Sequence, residues 1–156
     1  MGRKLQMSEE EAFERRVAAR LGSALRDQAV VLLALQPDAP GEPVLGTVDC
    51  IPLPQGKGRR ALAPDLPARY LLRNLWVAPA MRRMGIARRL MAEAEALARS
   101  RHVTMLELEV MPGNGAARAL YADLGFRPAE EAPAWMPAFL QGSIQLVKDV
   151  DVDAGY

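Results

Sequence analysis

Apolar residues recur along this chain with two periods, and the switches between them mark its elements. Ser8-Glu9-Glu10-Glu11 has the form of a capping box, a hydroxyl N-cap with a carboxylate three residues later. Phe13, Val17, Leu21 and Leu25 then fall on one helical face, which predicts a helix ending near Arg26-Asp27. Ala29 to Gln36 is a continuous apolar run and predicts a buried strand. Pro37-Asp38-Ala39-Pro40-Gly41 is a turn. Val44 to Ile51 reads as a second strand, antiparallel to the first because the connection is short. Pro52 to Arg69 holds four prolines and two glycines and reads as a long loop.

Tyr70 to Val77 is the third predicted strand, closed by Pro79. The period then changes to that of a helix. Ile86, Leu90, Ala94 and Leu97 share one face, flanked by Ala87, Met91 and Ala98, over a helix from Ile86 to about Ser100. Val103 to Met111 alternates strictly: Leu106, Leu108 and Val110 on one side, Met105, Glu107, Glu109 and Met111 on the other. Pro112-Gly113 breaks that strand. Asn114 is placed to cap a short helix with Ala117, Leu120, Tyr121 and Leu124 inward, and Gly125 is placed to stop it. Phe126 begins a short strand, Ala129 to Phe139 reads as a loop, and Leu140 to Val147 is the last strand.

The order is helix, two antiparallel strands, strand–helix–strand–helix, then a terminal hairpin. The central unit requires a right-handed crossover between parallel strands. The fold class is therefore α/β or α+β, a mixed sheet with helices on both faces. At 156 residues, with neither repeat nor linker, a single domain over 1–156 is expected.

Charge changes this picture only locally. The net charge of +1 gives no general attraction to nucleic acid or membrane, but Arg59-Arg60, Arg82-Arg83 and Arg88-Arg89 are clustered. Cys50 is the only cysteine, which excludes an internal disulfide and fits a soluble protein of a reducing compartment. No apolar run is long enough to span a bilayer, and no signal peptide opens the chain. With one His and one Cys, a zinc site is not expected, and no metal is assigned.

Arg82-Arg83-Met84-Gly85-Ile86-Ala87 joins the third strand to its helix. A helix start presents N–H groups without intrahelical partners, and the helix dipole adds positive potential. Gly85 lets phosphates approach the backbone. Arginines at a helix N-terminus oppose the dipole, so a solvated helix start explains the pair poorly and a bound pyrophosphate explains it well. Gly56-Lys57-Gly58 lacks the spacing of a nucleotide-binding P-loop; a phosphate or partner contact is the alternative. Asp149, Asp151 and Asp153 lack the register of a calcium loop and read as a frayed acidic tail. Cys50 reads as a small core residue and His102 as a surface or helix-capping one.

Two motifs resemble the GCN5-related N-acetyltransferase superfamily. The first is Gln/Arg-x-x-Gly-x-Gly/Ala after a strand, matched by Arg82, Gly85 and Ala87. The second is Asn-x-x-Ala-x-x-Leu-Tyr followed by Gly-Phe, matched by Asn114, Ala117, Leu120, Tyr121, Gly125 and Phe126. Together they cover about Tyr70 to Phe126. The chain departs from that family in beginning almost directly with a helix where the family has a strand. Leu-x-Asn-Leu-x-Val before Arg-Arg-x-Gly-Ile-Ala also resembles plastid acetyltransferases of plants and algae, which would place the protein in the stroma, otherwise the cytoplasm.

The resemblance implies acetyl-CoA as co-substrate. Arg82, Arg83, Met84, Gly85, Ile86 and Ala87 would hold its pyrophosphate. Leu75, Trp76 and Val77 would pair with the pantetheine arm, an N–H near Val77 would polarise the thioester carbonyl, and Asn114, Ala117 and Tyr121 would complete the site. It also implies that Tyr121 hydrogen-bonds to the leaving thiolate or protonates it; from the residues alone Tyr121 is a core tyrosine with a satisfied hydroxyl. Glu109, five residues before Asn114, is the first candidate for the base that deprotonates the amine and Glu107 the second, against two solvated carboxylates or a cation-binding pair. The family's other base position corresponds to Leu71, which carries no carboxylate. The function implied is direct acetyl transfer to a protein α-amine, a lysine or a small amine by a monomer or homodimer. The alternatives are a CoA-binding regulatory module without turnover and a phosphate-binding scaffold unrelated to CoA. The loop with Trp135 and Met136 and the helix near Ser8 are expected to wall the acceptor site.

Overall fold

The computed structural model describes residues 29–53, 69–129 and 142–152. The helix expected from Ser8, most of the Pro52–Arg69 loop with Gly56-Lys57-Gly58, and the loop with Trp135 and Met136 lie outside them. Among the described residues six strands form one sheet: β1 (Val30–Leu35), β2 (Val44–Leu53), β3 (Arg69–Val77), β4 (Met105–Val110), β5 (Arg127–Pro128) and β6 (Ile144–Asp149), in the order β1-β2-β3-β4-β6-β5. Only β3 and β4 run parallel. Helix α1 (Ile86–Ser100) makes the crossover between them, and α2 (Gly115–Asp123) follows β4.

Register puts Cys50 beside Leu72, Leu72 beside Leu108 and Leu108 beside Leu146, so these apolar side chains share one face across four strands. Both described helices lie on that face. Leu90, Met91, Ala94 and Ala98 of α1 are buried in its core. Tyr121 of α2 meets Phe126 edge-on at 5.9 Å, and Arg88 of α1 bonds Asp123 of α2 at 2.8 Å. Full burial of each large aliphatic side chain contributes roughly 1.5–3 kcal/mol, and the stripe predicted for α1 supplies this contact. The other face carries Thr47, Asp49 and Glu107, all buried.

Both helices end as their sequences require. At α2, Gly125 takes φ +86°, with Gly125 N–H bonding Ala122 O at 3.0 Å and Phe126 N–H bonding Tyr121 O at 2.9 Å. At α1, His102 takes that left-handed position with φ +54°, in keeping with a capping role. Two expectations need correction. The last strand runs from Ile144 to Asp149, later than the predicted Leu140–Val147, because its pairing follows β4 from Val110 back to Met105. The acidic end is also no frayed tail as far as Val152. Asp149 bonds Arg127 at 2.8 Å, Arg99 bonds the carbonyl of Asp151 at 3.0 Å, and Val150 and Val152 join the core; Asp153 lies outside the described residues.

A register shift between Thr47 and Asp49 leaves one extra residue in β3, a β-bulge. Asn74 sits there with φ +54°, a conformation that costs most side chains roughly 1–2 kcal/mol and Asn less. Pairing of β3 with β4 stops at Leu72 and Leu108, just before the bulge, and the strands part.

Gly46 shows how closely α1 lies on β2. A Cβ there would stand 2.9 Å from the Trp76 carbonyl oxygen, 3.0 Å from Leu90 Cδ1 and 3.1 Å from Ile86 Cγ2. Gly46→Ala is therefore expected to destabilise the fold by about 1–3 kcal/mol in urea denaturation. Gly113→Ala, where a Cβ meets nothing within 4 Å, is expected to change it by less than about 0.5 kcal/mol. Equal stability of the two variants would contradict the packing of α1 on β2.

Candidate functional site

Where β3 and β4 part, a cleft opens in two connected chambers. The larger has a volume of about 690 Å³ and is lined by the end of β3, the turn into α1 and the inner side of α2. The smaller, about 260 Å³, lies between the separating strands. Leu75 and Tyr121 belong to the walls of both.

The sequence motifs converge on the larger chamber. Leu75, Trp76, Val77, Arg82, Arg83, Gly85, Ile86, Ala87, Asn114, Ala117 and Tyr121 all line it. Met84 does not: the residue is 66% exposed, because the turn that aims its neighbours inward aims it at solvent. Gly85 is the N-cap of α1 with φ +82°, and no side chain caps this end. The first turn of α1 holds no acidic residue, and Arg83 adds a left-handed backbone at φ +62°. Uncapped N–H groups and arginines thus face one cavity. That donor set fits a pyrophosphate, whose charge would offset the unfavourable cation–dipole arrangement.

The edge of β3 is the second wall. Ala78 N–H bonds Leu45 O at 2.8 Å, toward β2. Successive N–H groups of a strand point to opposite edges, so that of Val77 points away from β2, into the gap left by β4. Arg82 Nε bonds the Val77 carbonyl at 3.2 Å and ties the turn to this edge. Across the chamber, Asn114 Oδ1 accepts from Ala117 N–H at 3.1 Å, the N-cap read from sequence.

Tyr121 is 8% exposed, and its hydroxyl makes no hydrogen bond among the described residues. The satisfied hydroxyl of an ordinary core tyrosine is thus not found there. Burial raises its pKa above the usual 10.0, so the phenol keeps its proton through neutral pH. Glu109 is exposed and lines the smaller chamber with Tyr121. Glu107, on the same strand face, is not brought to the cleft. It is buried, pairs with Arg69, accepts from Gln145 Nε2 at 3.2 Å, and lines a separate pocket.

Cys50 is fully buried, and burial, reinforced by Asp49, pushes its thiol up to about 12, with Arg101 opposing. A thiol that holds its proton so strongly is no nucleophile at neutral pH. The wall of the smaller chamber also includes Arg73, Asn74, Met91 and Leu108, none of which was assigned to the site from the sequence. Asn74 alone left a signal, as the Asn of Leu-x-Asn-Leu-x-Val within a run of strand-forming residues. No described helix is long and apolar enough to cross a membrane.

Residues 3–126 match the family described as Acetyltransferase (GNAT) family. No curated protein sequence matches the chain. Among solved structures, the ribosomal-protein-alanine N-acetyltransferase of Brucella melitensis is 26% identical, with a TM-score of 0.60 over 86% of this chain and 77% of that one. A GNAT-family acetyltransferase of Staphylococcus aureus Mu50 is 13% identical, with a TM-score of 0.63 over 90% and 79%. The PaiA N-acetyltransferase of Thermoplasma acidophilum, solved with coenzyme A, is 18% identical, with a TM-score of 0.60 over 92% and 80%.

The Asn114 cap gives a direct test of the α2 wall. Asn114→Ala is expected to lower stability by about 1 kcal/mol, and Asn114→Asp, an equally good cap, to leave it nearly unchanged. A loss of similar size in both variants, read by thermal unfolding, would contradict the capping role.

Proposed function

Because the chain belongs to the acetyltransferase (GNAT) family, whose members use acetyl-CoA and an amine acceptor, we propose that this cleft transfers acetyl from acetyl-CoA directly to a primary amine. The observation that carries the proposal is the shared wall of the two chambers. Tyr121 and Leu75 stand where a chamber fitted to a pyrophosphate meets one that holds a carboxylate.

In this reading the pyrophosphate lies at Gly85, Ile86 and Ala87, and the pantetheine arm runs along Leu75–Val77 as an added strand. The Val77 N–H, directed into the gap, is available to that arm or to the thioester carbonyl, where it would stabilise the oxygen's developing charge. The amine enters the smaller chamber beside Glu109, which takes its proton directly or through a water. The nitrogen bonds to the carbonyl carbon, the carbon–sulfur bond breaks, and the electron pair leaves with the sulfur. Tyr121 donates a hydrogen bond to that thiolate. An ordinary phenol near ~10 is a weaker acid than a thiol near ~8.5, and complete proton transfer is uphill by about 2 kcal/mol before burial adds to it. Tyr121 therefore acts mainly as a hydrogen-bond donor to the leaving group.

The favoured acceptor is a protein N-terminal α-amine. With an ordinary pKa near ~7.8 about a third of it is neutral at pH 7.5, whereas a lysine near ~10.4 requires about 4 kcal/mol to deprotonate at that pH. The 26% identical relative is described as acting on a ribosomal-protein alanine. A lysine or small amine is the second choice. Glu107, held by Arg69 and Gln145, is not assigned as the base. The solved relatives lend no support to the plastid likeness.

Labelled acetyl-CoA with a peptide library, scored for acetylated termini against lysines, tests this reading. Transfer to termini is expected; CoA binding without any transfer would instead indicate a regulatory module. Tyr121→Phe is expected to lower kcat by about 10²-fold with little change in CoA affinity. The active form of Tyr121 is protonated and its pKa is raised, so its contribution is retained up to at least about pH 10 and lost above that. This alkaline fall should vanish in Tyr121→Phe; equal turnover in the variant would remove the role. Glu109→Gln is expected to lower kcat by about 10²-fold with little change in CoA affinity. Unchanged turnover in that variant would show that Glu109 is not the base.

A further inference from the structure

The bulge in β3 is held from the neighbouring strand at two points. Asn74 Nδ2 donates to the Asp49 carboxylate at 2.6 Å, and the Thr47 hydroxyl donates to the Asn74 carbonyl oxygen at 3.2 Å. Thr47 is fully buried and Asp49 is 6% exposed. A buried carboxylate is costly unless it is hydrogen-bonded, and an apolar pair would close a sheet interior at least as well. Here the polar pair sits where one residue must be kept left-handed, opposite the register shift between Thr47 and Asp49.

The position of that residue gives the arrangement a use beyond packing. Asn74 is on the wall of the smaller chamber, immediately before Leu75, which both chambers share. The bulge sets the direction in which Leu75, Trp76 and Val77 diverge from β4 while Trp76 and Val77 stay paired with β2, and hence where the cleft-facing N–H groups of this edge point. We propose that Asp49 is a positioning residue. Acting through the Asn74 side chain, it fixes the bulge so that the β3 edge is aligned with the thioester carbonyl. Asp49 has this role only if the cleft holds acetyl-CoA as proposed above.

The test compares binding of CoA with binding of a dethia ketone analogue of acetyl-CoA, in which a methylene replaces the sulfur and the carbonyl is kept. Wild-type protein is expected to prefer the ketone. Asp49→Ala removes the acceptor. Asn74→Gly removes the tether but still allows the left-handed backbone. Both are expected to lower kcat and the preference for the ketone by about tenfold while CoA affinity holds. Asp49→Asn, which keeps an oxygen acceptor, is expected to stay within about threefold of wild type. An unchanged preference in Asp49→Ala and Asn74→Gly would overturn the positioning role. So would parallel loss of CoA and ketone binding, which marks a packing role only. Wild-type protein that binds neither molecule would overturn the acetyl-CoA reading of the cleft, and the role of Asp49 with it.

Discussion

The structure turns on the point where β3 and β4 cease to pair. Up to Leu72 and Leu108 they are ordinary parallel neighbours in the middle of a sheet. Beyond it the Asn74 bulge diverts β3, and β4 ends at Val110 before Pro112-Gly113. Interior backbone groups that lose a strand partner must find another, because unsatisfied buried N–H and C=O groups are expensive. A gap at this position therefore suits a ligand that carries amide groups of its own, as the pantetheine arm does. The remaining parts of the site are arranged around that gap: the start of α1 at its mouth, Tyr121 on α2 along one side, and the exposed Glu109 on β4.

Electrostatics and packing divide the sheet between them. On the face under α1 and α2, contacts are apolar and close, down to a glycine that lets Leu90 and Ile86 reach the backbone. On the opposite face the buried residues include Thr47, Asp49 and Glu107, each hydrogen-bonded. At the mouth of the gap, α1 begins without a side-chain cap and without an acidic residue in its first turn, among arginines that its dipole disfavours. Each of these is locally unfavourable for the protein alone. Such conflicts concentrate where a sequence is fitted to a ligand.

The sequence carried much of this because its signals were local. The stripe Ile86, Leu90, Ala94 and Leu97 marked α1 from its first residue into its last turn, and Asn114 and Gly125 marked both ends of α2. The strict alternation from Leu106 to Val110 identified the apolar core face of β4. What escaped depended on pairing between distant strands. The bulge at Asn74 exists because β2 and β3 slip by one residue, and no residue pattern in β3 announces a slip. Glu107 and Glu109 are equivalent by period, yet Arg69 and Gln145 engage the first and leave the second at the cleft. The late start of β6 and the ordered Asp149 likewise follow from partners far along the chain.

Amide hydrogen exchange measured residue by residue, with and without acetyl-CoA, tests most directly that the gap between β3 and β4 is the acetyl-CoA site. Without it, the Val77 amide should exchange faster than that of Ala78, which bonds Leu45. With acetyl-CoA bound, protection should rise at Val77 and in the first turn of α1, at Ile86 and Ala87. Binding that leaves those three amides unchanged, or that protects another part of the sheet instead, would contradict the account.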